Sequence, residues 1–293
     1  MKKIWAFLAM LCLAFSLSGC FHDQSANDQG LAKLNYQSGH SAIVKVNHDR
    51  STLNPDSWHS DRVHYANLDR LNRTSSGNVG DLDRENVAND SLRQRQYVYP
   101  SGWHQKMVAN QPILNRGHLI AYSLSKGIDS DGDYRPQNPS GDQNNPKNLF
   151  TQTAFSNQKL QTIYESKVRE ALYRDKKVIF QAKPIFRGND LMARGIHLQA
   201  ISTDRSLNFN VYLFNVQPGV KFDYATGRSV LDQDVRIPIP KGAPNFDAPR
   251  RYNYRSAWSH RYYRYRPARR NYFHRRRLLA ETIINLVDLG GII

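Results

Sequence analysis

Along most of the chain the apolar residues fall into short clusters, and the spacing within each cluster separates one helix from several strands. From residue 157 to 172, Leu160, Ile163, Tyr164, Val168 and Leu172 recur at three- and four-residue steps, which predicts a helix whose end is marked by Lys176 and Lys177. Downstream, residues 178–182, 193–202 and 209–216 are compact strand-like runs. Gly188-Asn189 and Asp204-Arg205-Ser206 punctuate them as turns, so they read as an antiparallel meander packed against the helix. Upstream, residues 42–46 and 60–67 lean towards strand on either side of Asn54-Pro55-Asp56, and residues 97–100 read as a strand ending in a Ser101-Gly102 turn. Residues 68–73 and 79–90 mix charges with isolated aliphatics and predict no definite element. Between 124 and 147, Gly127, Gly132, Gly141, Pro136, Pro139 and Pro146 mark a long loop. The sum is an α+β chain rather than a parallel α/β sheet.

Both ends depart from this pattern. Lys2 and Lys3 precede an apolar run over residues 4–17, shorter than the roughly 20 residues that span a bilayer comfortably as a helix. Leu17-Ser18-Gly19-Cys20 closes it. This resembles a bacterial lipoprotein signal, which implies cleavage before Cys20 and a diacylglycerol on its sulfur; an ordinary secretory signal or an uncleaved anchor is the other reading. Cys12 lies inside the signal, so the mature chain keeps Cys20 alone and forms no internal disulfide. Residues 20–41 are polar and aperiodic and read as a tether. Residues 241–277 form a basic, aromatic-rich extension, and from 250 to 277 there is no Asp or Glu. Arg261, Arg264, Arg266, Arg269 and Arg270, interleaved with tyrosines, suit nucleic acid through phosphate pairing and base stacking. They suit anionic lipid head groups or acidic envelope polymers equally. Residues 278–293 are apolar but interrupted by Glu281 and Asp288, and read as a short docking helix or strand.

The chain has 293 residues, 40% of them hydrophobic, enough for one core of about 200 residues with terminal segments left over. Its formal net charge of +16 points to a polyanionic partner, nucleic acid or an acidic envelope surface.

Candidate chemistry centres on Asn115-Arg116-Gly117-His118, followed by Asn148, Asn157 and Glu165. At about 100° per residue a regular helix sets Asn157 and Glu165 about 80° apart, so one side could present both. Trp103 reads as a packing residue rather than a base-stacking platform, and His104 as structural. Asp129, Asp131 and Asp133 invite a calcium loop, but Tyr134 stands where such a loop needs Gly and Ser140 where it needs Glu. A solvated turn-rich loop is the better reading.

The motif and its spacing resemble the DNA/RNA non-specific endonuclease family, whose fold is the ββα-metal or His-Me finger. That family carries Asp-Arg-Gly-His, then Asn, a second Asn nine residues later and Glu eight beyond, the spacing of Asn148, Asn157 and Glu165 here. Gly102-Trp103-His104-Gln105, Asn215-Val216-Gln217-Pro218-Gly219 and Asp223-Tyr224-Ala225-Thr226-Gly227 are similar to its membrane-bound DNA-entry and secreted Gram-positive members.

The resemblance covers residues 42–240 and implies a finger nuclease core with an antiparallel sheet packed against the finger helix. It implies that His118 is the general base, since an imidazole of reference pKa near 6.5 is mostly neutral at pH 7. Asn157 is then the ligand of a single Mg2+, with Mn2+ an admissible substitute; Glu165 holds a metal-bound water and Asn148 positions the site. Arg116 clamps a phosphate oxygen. The plainer readings are a satisfied core histidine, helix or loop hydrogen-bonding for Asn148 and a solvated carboxylate for Glu165, and a structural salt bridge for Arg116.

Asn115 stands where the family usually has Asp, so reduced activity or a displaced pH optimum is expected. The functional expectation is a surface-anchored, or else secreted, endonuclease cutting DNA or RNA with little sequence preference and leaving 5′-phosphates. Its rival is a lipid-anchored, non-catalytic protein that captures DNA or acidic polymers through the basic tail.

Overall fold

The computed structural model describes residues 28–88, 95–138, 141 and 143–245. The expected lipidation site at Cys20, the arginines at 261, 264, 266, 269 and 270, and the apolar tail lie outside the described residues. No helix among the described residues is long and apolar enough to cross a membrane.

In chain order the regular elements are α1 (Asp28–Lys33), β1 (Ile43–Lys45), β2 (Arg62–Tyr65), β3 (Asn78–Leu82), β4 (Met107–Val108), β5 (Gln111–Pro112), β6 (Leu114–His118), β7 (Leu149–Thr153), α2 (Thr162–Tyr173), β8 (Val178–Ile185), β9 (Gly195–Ser202), β10 (Asn208–Phe214), β11 (Val220–Asp223) and β12 (Arg228–Leu231). Six of the strands form one antiparallel sheet in the order β1-β10-β9-β8-β3-β2. The meander expected from residues 178–216 is its centre, with Phe180 opposite Ala200 and Val211 opposite Leu198.

Helix α2 packs across β8 and β9. Leu160, Val168 and Leu172 are buried with Phe180, Leu198 and Phe209, and the Tyr164 ring lies 5.0 Å from that of Phe209. Burying each such side chain contributes about 1.5–3 kcal/mol. The opposite face of the sheet is polar yet covered. Gln199 donates to Gln181 at 2.7 Å and accepts from the Thr52 N–H at 2.9 Å, while His197 meets the Asn210 amide oxygen at 2.6 Å. Burial lowers the His197 pKa, against the Asn210 hydrogen bond, which keeps this imidazole a neutral structural group.

Three expectations need correcting. Residues 28–41 are not a free tether: Leu31 is buried in the main core, Arg187 donates to the Ala32 and Leu34 carbonyls, and Lys183 pairs with Asp28 at 2.5 Å. The apolar positions were too sparse, Leu31, Leu34 and Tyr36, to register as a periodic face. Residues 78–82, which predicted nothing, form β3 between β2 and β8, because the sheet on both sides buries a strand whose own sequence is broken by Gly80 and Asp81. Residues 97–100 join no strand ladder; side chains rather than a neighbouring strand take up their backbone groups.

The motifs flanking the histidine meet in space. Gly227, at φ +81°, lies so close to Gly102 that a Cβ there would stand 1.9 Å from the Gly102 carbonyl oxygen, and no other residue fits. Asn215 donates to the Thr151 and Ala193 carbonyls and accepts from the Thr153 N–H, tying β7 to the sheet. In the 124–147 loop the Asp129 carboxylate accepts from the Asp131 and Asp133 N–H groups and from Arg135. Partial burial opposes its ionisation, but those donors prevail and lower its pKa. Backbone and arginine donors thus take up this carboxylate.

Candidate active site

Strands β6 and β7 pair antiparallel, with Asn115 opposite Gln152 and His118 opposite Leu149, and β7 leads directly into a helix. That helix is not regular. Residues Ser156–Gln161 wind as one π-helical stretch before α2 begins, so Asn157 and Glu165 are not separated by eight uniform α-helical steps. The 80° angle expected from sequence therefore does not apply. The two residues are joined instead by side chains the sequence reading did not single out.

Four primary amides form a directed chain. Asn115 Nδ2 donates to Asn157 Oδ1 at 3.1 Å, Asn157 Nδ2 to Gln152 Oε1 at 2.9 Å, Gln152 Nε2 to Gln161 Oε1 at 2.9 Å, and Gln161 Nε2 to Glu165 Oε1 at 2.8 Å. Gln161 Nε2 also donates to the His118 carbonyl at 2.8 Å. An ionised carboxylate only accepts, so Glu165 sets the orientation of Gln161, and each amide then sets the next. Gln152, Gln161 and Glu165 are buried, where a wrongly turned amide would leave polar atoms unmatched. Gly117 makes the crossing possible: a Cβ there would stand 2.1 Å from Gln152 Oε1.

Asn148 is fully buried and holds the chain behind the histidine. It accepts from the Ile120 N–H at 2.9 Å, donates to the Ile120 carbonyl at 2.9 Å, and accepts from Asn78 of β3 at 3.1 Å. His118 is half-buried, its Nε2 lying 3.2 Å from the Gln143 carbonyl and 3.4 Å from Gln96 Nε2. Gln96 Nε2 also donates to that carbonyl at 3.3 Å. A carbonyl can only accept, so the tautomer that bonds it carries the proton on Nε2 and, when neutral, has its lone pair on Nδ1.

Arg116 has no carboxylate partner among the described residues. Its Nε donates to the Val98 carbonyl, and its guanidinium sits 4.8 Å from the Tyr99 ring centroid and 4.6 Å from that of Trp103. The structural salt bridge is thus not what the described residues offer. Trp103 packs against a small core of Ile113, Leu114, Met192, Val220 and Phe222, as expected of a packing residue, while His104 is exposed.

No group of three or more His, Cys, Asp or Glu side chains among the described residues is placed to hold a metal. A cation here would have to rest on amide oxygen, water and few charges. Asn157 Oδ1 has two lone pairs, of which Asn115 takes one, and it is a hard donor on a half-buried residue. The donor set fits a hard divalent ion that keeps most of its waters. A cleft of about 610 Å³ lies elsewhere, lined by Trp58, Asp61, Asp83, Asp133, Arg135 and Lys177 among others, and includes none of these residues.

Residues 52–204 match the family described as DNA/RNA non-specific endonuclease. The chain is also similar to NucA from Streptococcus agalactiae, solved with magnesium ion bound, at 32% identity and a TM-score of 0.56, over 70% of this chain and 94% of that one. The same protein solved with no metal bound matches at 32% identity and a TM-score of 0.55, over 70% and 95%.

Proposed function

This chain belongs to the DNA/RNA non-specific endonuclease family, with the ββα-metal fold, and from that premise we propose that His118 and the amide chain behind it carry out metal-dependent hydrolysis of DNA, and of RNA, with little sequence preference. The observation that carries the reading is the directed run of hydrogen bonds from Asn115 to Glu165, which aims the Asn157 oxygen.

In this reading His118 takes a proton from water as the oxygen attacks phosphorus, the bond to the 3′ oxygen breaks, and solvent protonates the departing alkoxide to leave a 5′-phosphate and a 3′-hydroxyl. The chemistry that Mg2+, or Mn2+ in its place, supplies when bound at Asn157 is positive charge against the non-bridging and departing oxygens. Glu165 fixes the amide chain and would hold a water of a cation bound at Asn157. Arg116, braced by Tyr99, Trp103 and the Val98 carbonyl, presents its remaining N–H donors to a phosphate oxygen. Asn148 is a positioning residue, since its amide oxygen is taken up by the Ile120 N–H and Asn78 while its nitrogen donates to the Ile120 carbonyl. Contacts to phosphate and sugar carry no sequence information directly, in keeping with non-specific cleavage.

NucA was solved with magnesium, which supports the choice of ion here. Membership of an endonuclease family favours an enzyme over the rival reading of a binding-only protein. Asn115, the departure that suggested that rival, takes part in the site as a donor to Asn157. We further place the protein outside the cytoplasm on a lipidated Cys20, with Arg261, Arg264, Arg266, Arg269 and Arg270 as a second, electrostatic contact to nucleic acid.

The test is digestion of plasmid and of RNA by the purified protein in Mg2+, in Mn2+ and with chelator. Cleavage that the chelator stops and added metal restores is expected, and His118→Ala should lower its rate by about 10²–10⁴-fold while nucleic acid still shifts on a gel. DNA left intact in both metals would overturn the reading. For the anchor, Cys20→Ser should move the protein from the membrane fraction to the medium. For the arginines, truncation after residue 249 should weaken affinity and flatten its salt dependence.

A further inference from the structure

The segment before the catalytic strand is tied down on one side and bare on the other. From Arg95 to Pro100 the residues alternate between exposed and half-buried, the pattern of an extended chain, although no strand pairs with them. The side-chain amide of Asn144 substitutes for a neighbouring strand, accepting from the Tyr97 N–H at 3.0 Å and donating to the Arg95 carbonyl at 3.3 Å. Gln96 and Val98 face inward. Gln96 Nε2 lies 3.4 Å from His118 Nε2, and the Val98 carbonyl takes the Arg116 Nε–H. Thr151 of β7 fixes the next turn by donating to the Ser101 carbonyl at 2.8 Å.

Facing outward from this pinned backbone are Tyr97 and Tyr99, 70% and 71% exposed, with Arg95 exposed one step before them. Single exposed aromatics are ordinary, but these are two in three residues, and their immediate neighbours touch His118 and Arg116. On an extended chain positions two apart are separated by about 6.6 Å, close to twice the 3.4 Å rise of stacked bases along one strand. That distance suits bases drawn apart from one another rather than stacked in a duplex. Tyr99 is already oriented by the Arg116 guanidinium at 4.8 Å and edge-on by Trp103 at 6.2 Å, yet most of its surface remains in water.

We propose that Tyr97 and Tyr99 form a stacking subsite for unpaired bases of the substrate strand, next to the scissile phosphate. The inference rests on the nuclease reading of His118 and adds a preference within it: single-stranded or locally melted nucleic acid is taken over intact duplex. Stacking is tolerant of sequence because every base has a π-face, so such a subsite does not conflict with non-specific cleavage. Tyr97 is the cleaner probe, since Tyr99 also supports Arg116.

The experiment compares kcat/KM of the full-length protein in Mg2+ on a single-stranded oligonucleotide and on the corresponding duplex, for the wild type, Tyr97→Leu and Tyr97→Phe. Leucine keeps bulk without a π-face and should lower the single-strand to duplex ratio about tenfold, whereas phenylalanine should keep it within a factor of two. A second readout needs no cleavage: with chelator present, a strand carrying 2-aminopurine should be quenched on binding to wild type and Tyr97→Phe, and about tenfold less tightly bound by Tyr97→Leu. An oligonucleotide of abasic sites should bind all three alike. If Tyr97→Leu changes both substrates equally, or Tyr97→Phe loses as much as Tyr97→Leu, the stacking subsite is excluded. If the wild type cuts nothing, the nuclease reading fails, while the quenching and abasic measurements still decide the subsite.

Discussion

Glu165 can accept hydrogen bonds but, when ionised, cannot donate them, and that asymmetry propagates through Gln161, Gln152 and Asn157 to Asn115. An aspartate at 115 would place an accept-only group at both ends of the chain. One link would then bring two oxygens together, whichever way the amides turned. Asn115→Asp should therefore lower stability in chelator by about 1–3 kcal/mol, the range for a buried polar group left unsatisfied. Glu165→Gln supplies a donor at the far end and lets the run reverse, except that a turned Gln161 gives up its bond to the His118 carbonyl, so Asn115→Asp combined with Glu165→Gln should recover part of that loss. Strictly additive melting temperatures in the double variant would show that the amides are not coupled in this way. The single residues His118, Asn148, Asn157 and Glu165 could be picked out because their spacing resembles that of the endonuclease family. Gln152 and Gln161 could not, because a glutamine inside a strand or helix carries no periodic signal and acquires its meaning only from the partner across the turn.

Among the elements, the β6–β7 pair depends on the absence of a side chain at 117. Gly117→Ala would push Gln152 off the strand it crosses; overpacking of this kind costs about 1–3 kcal/mol, and here it also breaks the amide chain. Cleavage should fall further than the melting temperature alone explains, and an alanine variant with wild-type activity would refute the crossing. Helix α1 makes a different prediction. Leu31 is buried with the core, so Leu31→Ala should lower stability by about 2–5 kcal/mol, measured by denaturant unfolding, where a free tether would give no change. The helix after β7 and the β8–β10 meander were legible because each has a buried face of regular period. The π-helical stretch was not, since one wide turn inside a helix leaves the three- and four-residue spacing of Leu160, Ile163 and Tyr164 intact. Strand β3 and α1 escaped for the opposite reason: their burial comes from what packs on them, not from their own pattern.

For the molecule as a whole, the cleft lined by Asp61 and Asp83 contributes one part of how stability follows pH. Burial first, then the charge and shared hydrogen bond of Asp83 and the charge of Glu85, push the Asp61 carboxyl up to about 7, against the pull of Lys177. Asp61 Oδ1 is buried with no N–H or hydroxyl donor among the described residues, and the Asp61 and Asp83 carboxyls share a hydrogen bond that only a retained proton can make. Between the ordinary carboxylate range and pH 7 the folded protein keeps a proton that the unfolded chain has lost, so this group's contribution to stability falls as pH rises and levels off above about 7. Asp61→Asn should remove that slope: its melting temperature relative to wild type should climb from pH 5 to pH 8. A difference that stays flat over this interval would mean the proton is not held. At the same scale, Asn78 of the central sheet reaches both the Lys147 carbonyl and Asn148, and Asn148 in turn holds Ile120 just past the histidine. The hairpin and helix bearing the reactive groups are thereby bolted through two amides to a strand far away in the chain. Such a finger is not a portable cassette. Transplanted into another scaffold without an acceptor for that bolt, it would carry every reactive side chain and still lack the alignment that makes them useful.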